Sequence, residues 1–282
     1  MTANPSATSV EHYENFPVAS WLCPPRLRPV VAAIYWFART ADDLADEGNA
    51  TPERRLADLA EYRGDLVAAA RDAPRSARWH EVFGPLAGAI ADWRLPLPLL
   101  QDLLEAFEQD VVKTRDGAGY RDRDELLDYC RRSANPVGRL MLHLYDVRDA
   151  ASLAQSDAIC TALQLINFWQ DISQDLARGR RYLPGSDCQA HGVDPVAPAA
   201  APHERRQALV RTECEWTRSL MLAGSPLVHR VPGRAGWELR GVVQGGLRIL
   251  DRIEALGFDT FAHRPKLRPF DMPVIAARML RM

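Results

Sequence analysis

The chain has 282 residues, of which 47% are hydrophobic and 26% charged, with a formal net charge of -2. This composition predicts a soluble globular protein with a substantial core, and excludes the basic excess of a nucleic-acid binder and the acidic excess of a disordered chain. The longest apolar run, Pro29 to Ala38, is too short to cross a bilayer.

In chain order, residues Met1 to Glu14 show no basic n-region and no apolar h-region, which predicts no signal peptide and a cytoplasmic protein. Helical periodicity then dominates. It predicts helices over Pro25 to Glu47, Pro52 to Arg71, Ala77 to Trp93, Pro98 to Thr114 and Arg123 to Arg132. Further helices are expected over Val137 to Tyr145, Ser156 to Ala177, His203 to Ala223, Gly236 to Ala255 and Pro273 to Arg281. Thr51-Pro52 supplies an N-cap followed by a proline in the first turn, and Asp122 with Glu125 resembles a capping box. Asn135-Pro136 should break its helix. Between Pro184 and Pro202 the composition turns to Pro, Ala, Gly and Asp, which predicts a surface loop suited to a lid or a plain connector. No strand alternation persists, and no other boundary divides residues 1–282, so the reading is one all-α domain. Five widely spaced cysteines argue against a disulfide framework or zinc knuckle.

Two segments carry chemistry. At 100° per residue, Tyr35, Arg39, Asp42 and Asp46 share one narrow stripe, with Asp43 on its flank and Ile34, Phe37, Ala41 and Ala45 opposite. Carboxylates on one stripe repel each other and weaken a helix, so the end is either solvated or built to hold a cation. A second segment separates these readings. Gln164, Asn167, Asp171 and Asp175 share a stripe on an otherwise apolar helix, where unpartnered burial would cost several kcal/mol. Rows of oxygen donors suit hard cations such as Mg²⁺, which completes its shell with water and phosphate. Two such stripes facing each other would make a metal-clamped phosphate site. Arg178, Arg180 and Arg181 follow with guanidinium groups suited to phosphate oxygens, although a basic helix end would account for one of them.

The pair Asp42-Asp43-x-x-Asp46 and Asn167-x-x-x-Asp171-x-x-x-Asp175 resembles the squalene/phytoene synthase family of all-helical isoprenoid synthases. The resemblance extends through Ala33-Ile34-Tyr35, Tyr129-Cys130, Val137-Gly138, Gly179-Arg180-x-Tyr182-Leu183-Pro184, Gly257-Phe258-Asp259 and Arg264. Glu14-Asn15-Phe16-Pro17-Val18-Ala19-Ser20 and Asn167-Phe168-Trp169-Gln170-Asp171 look most like the hydroxysqualene synthase branch found in bacterial hopanoid gene sets. The implied fold is a single-domain helical bundle of the isoprenoid synthase type with a central cavity.

The implied reaction is ionisation of presqualene diphosphate, rearrangement of the cation and capture by water. Separate enzymes would make presqualene diphosphate and reduce the alcohol. The resemblance assigns metal to Asp42, Asp46, Asn167, Asp171 and Asp175, diphosphate to Arg39, Arg180 and Tyr182, and the reacting region to Tyr35, Tyr129 and Gln164. Phe16 and Phe168 are further aromatic candidates for cation stabilisation, whereas Trp169 and His143 read as packing and His12 has no assigned role. Mg²⁺ is the expected cofactor, NADPH is not expected, and an apolar product suggests peripheral membrane contact. Gln170 stands where many relatives carry Arg, and Gly245-Gly246 where many carry Tyr. Both departures favour the single-substrate step over the alternative, a complete squalene or phytoene synthase joining two prenyl diphosphates.

Overall fold

The computed structural model describes residues 23–282, so Phe16, His12 and the segment Glu14 to Ser20 lie outside the described residues. Every regular element among those described is helical, apart from an isolated bridge between Tyr120 and Pro184. The first four long helices are α1 (Arg28–Asp46), α2 (Pro52–Ala70), α3 (His80–Trp93) and α4 (Leu97–Asp116). Then follow α5 (Arg123–Ser133), α6 (Asn135–Leu144), α7 (Ala150–Gln170), α8 (Ile172–Ala177) and α9 (Gly185–Ala190). The chain closes with α10 (His203–Gly224), α11 (Arg234–Ala255) and α12 (Met272–Leu280).

Local chemistry sets several of these boundaries. Thr51 Oγ1 accepts from the Arg54 amide and Asp122 Oδ1 from the Glu125 amide, so both predicted caps form. Glu125 reaches back one residue further than a capping box requires, to the Arg121 amide at 2.7 Å. The Asn135-Pro136 break falls between α5 and α6, leaving only Ala134 between them. The predicted helix Ser156 to Ala177 differs from the structure at both ends. It starts six residues earlier, at Ala150, where Asp149 caps it through the Ser152 amide, and it breaks at Asp171, whose φ of -109° and ψ of 14° leave the helical region.

The predicted loop Pro184 to Pro202 is also corrected. Its first part is α9, which buries Cys188 and is followed by the buried Val193. The amides of Gly185 and Ser186 donate to the carbonyls of Tyr120 and Arg121, and Asp187 pairs with Arg123. These tertiary anchors, rather than local propensity, order a stretch rich in helix breakers.

Two apolar clusters form the core. One joins α1 to α4, and the other surrounds α7 with α10 and α11; Tyr145, just past α6, packs against both. Trp169 is fully buried and its indole N–H donates to Thr217 Oγ1 at 2.7 Å, so it is a packing residue as expected. All five cysteines are free and buried. A β-carbon at Gly138 would overlap Ser156 Oγ and Cys160 Sγ, so glycine there allows α6 to close on α7. No described helix is long and apolar enough to cross a membrane.

Candidate active site at the acidic end of an apolar cavity

A cavity of about 250 Å³ lies between α1, α6, α7 and α11. Its walls are almost entirely apolar, including Val31, Ile34, Ala38, Ile159, Leu239 and Val242. Tyr35 belongs to this wall rather than to the acidic end.

The helical period links the cavity to the acids. On α1, Val31, Ile34, Tyr35 and Ala38 line it, and the same stripe continues one turn later into Asp42 and Asp46. On α7, Ser156, Ile159 and Cys160 line it, and the stripe continues through Gln164 and Asn167 to Asp171. Between Ile159 and Gln170 every residue is buried except Gln164 and Asn167, which are half-buried. Both helices therefore turn from apolar to acidic toward their C-termini.

Arg180 joins the two acidic ends. α8 stops at Ala177, Gly179 adopts a left-handed φ of 78°, and the Arg180 amide returns to the Asp175 carbonyl at 2.8 Å. Only glycine accepts that backbone geometry without strain, and the turn brings Arg180 back beside its own acidic motif. The guanidinium then pairs with Asp46 on α1. Arg178 approaches Asp46 at the exposed rim, at 3.5 Å. Arg181 instead binds the Gly117 carbonyl, so the three arginines have different partners. Arg39 pairs with Asp42 and Asp43 at 3.3 and 2.8 Å.

One residue at the centre carried no earlier assignment. Asp110 of α4 accepts from the Tyr129 hydroxyl at 2.6 Å and lies 3.5 Å from that of Tyr182. The Tyr182 ring stacks on Phe168, with centroids 3.7 Å apart and planes 6° apart, and Tyr120 lies alongside. Tyr129 and Tyr182 therefore hold Asp110 at the edge of an aromatic cluster. The available sequence signal was modest: Asp110 continues the stripe of Leu103 and Phe107, an acid on the inward face of its helix.

Burial and mutual repulsion govern the electrostatics. Burial pushes the Asp42 carboxyl up to about 6, with Arg39 opposing and Asp46 and Asp43 reinforcing. Burial likewise pushes Asp110 up to about 7, opposed by the Tyr129 hydrogen bond and Arg180. Asp175 also rises to about 7 through burial and the neighbouring Asp171 charge, against Arg180 and Arg178. Asp171 is held by both nitrogens of an Arg264 fork, the second at 2.9 Å.

These residues fit a divalent cation in one specific manner. Among the described residues no three His, Cys, Asp or Glu side chains gather around one point. Mg²⁺, however, usually takes only one or two carboxylates and completes its shell with water and phosphate. The all-oxygen donor set, two helix C-termini and several crowded carboxylates make this end strongly negative. A diphosphate could occupy it only with cations between itself and the acids. The adjoining polar hollow of about 570 Å³ is lined by Asp46, Asp110, Arg55, Arg115, Arg178 and Arg180, among others.

The squalene/phytoene synthase family profile matches residues 10–271. The chain belongs to that family. Among its relatives, hydroxysqualene synthase of Sinorhizobium fredii is 32% identical over 96% of this chain and 89% of its own. Hydroxysqualene synthase of Rhodopseudomonas palustris is 33% identical over 93% and 86%. A solved structure described as squalene synthase HpnC from Alicyclobacillus acidocaldarius is 36% identical, covers 88% of this chain and 90% of its own, and superposes with a TM-score of 0.77.

Within this squalene/phytoene synthase fold, the two departures take on different meanings. Gln170 is buried and its amide donates to the Pro265 carbonyl at 2.8 Å, clamping the segment whose Arg264 holds Asp171. The neutral glutamine thus ties down the segment that carries Arg264. Gly246 lies against the core, where a β-carbon would meet the side-chain ends of Met221, Ile166 and Leu163 at 2.9, 3.1 and 3.2 Å. Gly245 has nothing within 4 Å of its β-carbon position, so only the first glycine of the pair leaves room.

Proposed function

We propose that this chain converts presqualene diphosphate and water to hydroxysqualene and inorganic diphosphate, as a carbon–oxygen lyase. The observation that carries the reading is its similarity, over nearly the full chain, to two hydroxysqualene synthases. The apolar cavity on one part of α1, and the polar hollow lined by Asp46, Asp110 and Arg180 at its C-terminal end, agree with a substrate that is hydrocarbon at one end and diphosphate at the other.

The C–O bond to the diphosphate breaks heterolytically and its electron pair leaves with the phosphate oxygen. The cyclopropylcarbinyl cation rearranges to an isomeric cyclopropylcarbinyl cation and then opens, water adds to the resulting allylic cation, and the oxonium proton passes to solvent or to released diphosphate. Asp42, Asp46, Asn167, Asp171 and Asp175 would hold Mg²⁺ between protein and phosphate. Bound there, the metal would supply Lewis-acid stabilisation of the departing diphosphate. Arg180 and Arg39 add charge to phosphate oxygens as the bond lengthens. Tyr182 orients Asp110 near Arg180, and Tyr35 on the cavity wall offers a ring face to the cation, whereas Tyr129 and Phe168, expected in that role, pack in the buried aromatic cluster around Tyr182. Gln164 and Asn167 are the amides of α7 next along the stripe from the cavity-lining Ser156, Ile159 and Cys160, and Gln164 would orient the attacking water.

No hydride step occurs, so no nicotinamide cofactor is used. The substrate requires an enzyme that condenses two prenyl diphosphates, and the product requires a reductase. A water-insoluble C30 alcohol is best released at a lipid surface. The alternative, a complete squalene synthase, draws on the description of the HpnC structure. Diphosphate release should proceed rapidly from presqualene diphosphate and at least about a hundredfold more slowly from farnesyl diphosphate alone, a difference of roughly 3 kcal/mol in barrier. Comparable rates would favour the complete synthase.

A further inference from the structure

We propose that the surface formed by residues 266–281 and Trp237 docks on an anionic lipid bilayer. Among the described residues, four of the nine exposed large hydrophobic side chains fall in this short segment: Leu267, Phe270, Met272 and Leu280. Phe270 is 58% exposed and Leu280 75%. On α12 the buried side is Ile275, whereas Met272, Pro273, Ala276, Ala277 and Leu280 all face outward. This is an apolar stripe at helical spacing on the solvent side of the helix, the reverse of an ordinary surface helix.

The partners of α12 fix where the stripe lies. Asp271, just before α12, is fully buried and pairs with Arg248 and Arg252, while the Met279 carbonyl near its other end accepts from Arg240. The helix therefore runs antiparallel along α11. Its stripe extends from Phe270 toward the end of α11 that carries Trp237, which is 44% exposed with Arg240 over its ring. The neighbouring positions Leu239 and Val242 on α11 line the apolar cavity.

Charge identifies the occupant. From residue 260 to the end, Asp271 is the only acidic residue, and it is neutralised inside the protein. Five Lys or Arg residues occupy the same stretch: Arg264, Lys266, Arg268, Arg278 and Arg281. Arg264 and Arg278 are engaged with Asp171 and Asp251, whereas Lys266, Arg268 and Arg281 are exposed around the apolar stripe. An exposed apolar stripe with a cationic rim and no exposed acid within residues 260–282 matches the interface of an anionic membrane, where aliphatic and aromatic groups enter the acyl boundary and Lys/Arg meet lipid phosphates. The assignment rests on the reading of a lipid-soluble product for its purpose, but not for its geometry.

The test is co-sedimentation of the full chain with substrate-free vesicles of phosphatidylcholine, with or without phosphatidylglycerol. Partitioning should be at least about tenfold stronger onto the anionic vesicles and should weaken with salt. The double variant Phe270→Glu/Leu280→Glu should lose about tenfold or more of that binding. Its thermal melting, and its turnover in detergent micelles, should match the parent. Lys266→Glu/Arg281→Glu should erase the preference for anionic lipid. Equal binding by parent and Phe270→Glu/Leu280→Glu, or equal binding to both vesicle types, would overturn the proposal. So would a dimer-to-monomer change in that variant with vesicle binding unaltered, which would assign the face to a second copy. Because no substrate is present, failure here leaves the proposed reaction standing.

Discussion

Asp42→Asn and Asp171→Asn should each lower turnover by on the order of 10³-fold, equivalent to several kcal/mol of lost transition-state stabilisation. Each change removes one charge and almost no volume, so neither leaves a cavity. Asp42 lies one turn beyond Ala38 on the cavity stripe of α1, and Asp171 closes the corresponding stripe on α7. The Asp171–Arg264 pair is bidentate and mostly buried, but asparagine keeps an oxygen that accepts from Arg264, so the change should cost about 1–3 kcal/mol of stability. Thermal melting should therefore fall by several degrees with the fold intact while turnover collapses. Both variants retaining full activity in excess chelator would remove the metal-bridged account.

Arg180→Ala should lower kcat/KM by on the order of 10²–10³-fold, and Arg180→Lys should restore only a small part of it. The side chain pairs with Asp46, and its charge also reaches Asp42, Asp110 and Asp175. It holds those three carboxyls below the values that burial alone would impose. Removing it should push all three further up, so a larger fraction becomes protonated at a given pH. The acid limb of kcat/KM, which reports the free enzyme, should consequently move to higher pH. A pH profile measured alongside kcat and KM separates this effect from simple loss of binding. An unmoved acid limb would mean that the carboxylates governing activity lie outside the reach of Arg180.

The parts of this site legible in the sequence are those governed by helical period. Asp42 and Asp46 with Tyr35, and Asp171 with Gln164 and Asn167, could be placed on common stripes because 100° per residue needs no knowledge of the rest of the fold. What escaped depends on distant segments. Arg264 reaches Asp171 across 93 residues, and no local pattern announces the partner. Asp110 sits on a third helix whose inward face reads as ordinary packing until Tyr129 and Tyr182 are placed against it. The break at Asp171 was hidden because the apolar periodicity continues through Ile172. The segment after Pro184 looked like a loop because its order comes from Tyr120, Arg121 and Arg123 on another part of the chain. Gln170 reads in the sequence only as a missing charge; that its amide also clamps the segment carrying Arg264 depends on Pro265, 95 residues away.

The central claim is that a carbocation formed in this cavity ends on water. Its most direct test is the product formed from presqualene diphosphate and Mg²⁺ in ¹⁸O-labelled water, without nicotinamide and with no other enzyme. The account predicts hydroxysqualene whose hydroxyl oxygen carries the label, together with one diphosphate for each alcohol formed. An unlabelled alcohol, or squalene that appears only when NADPH is added, would contradict it.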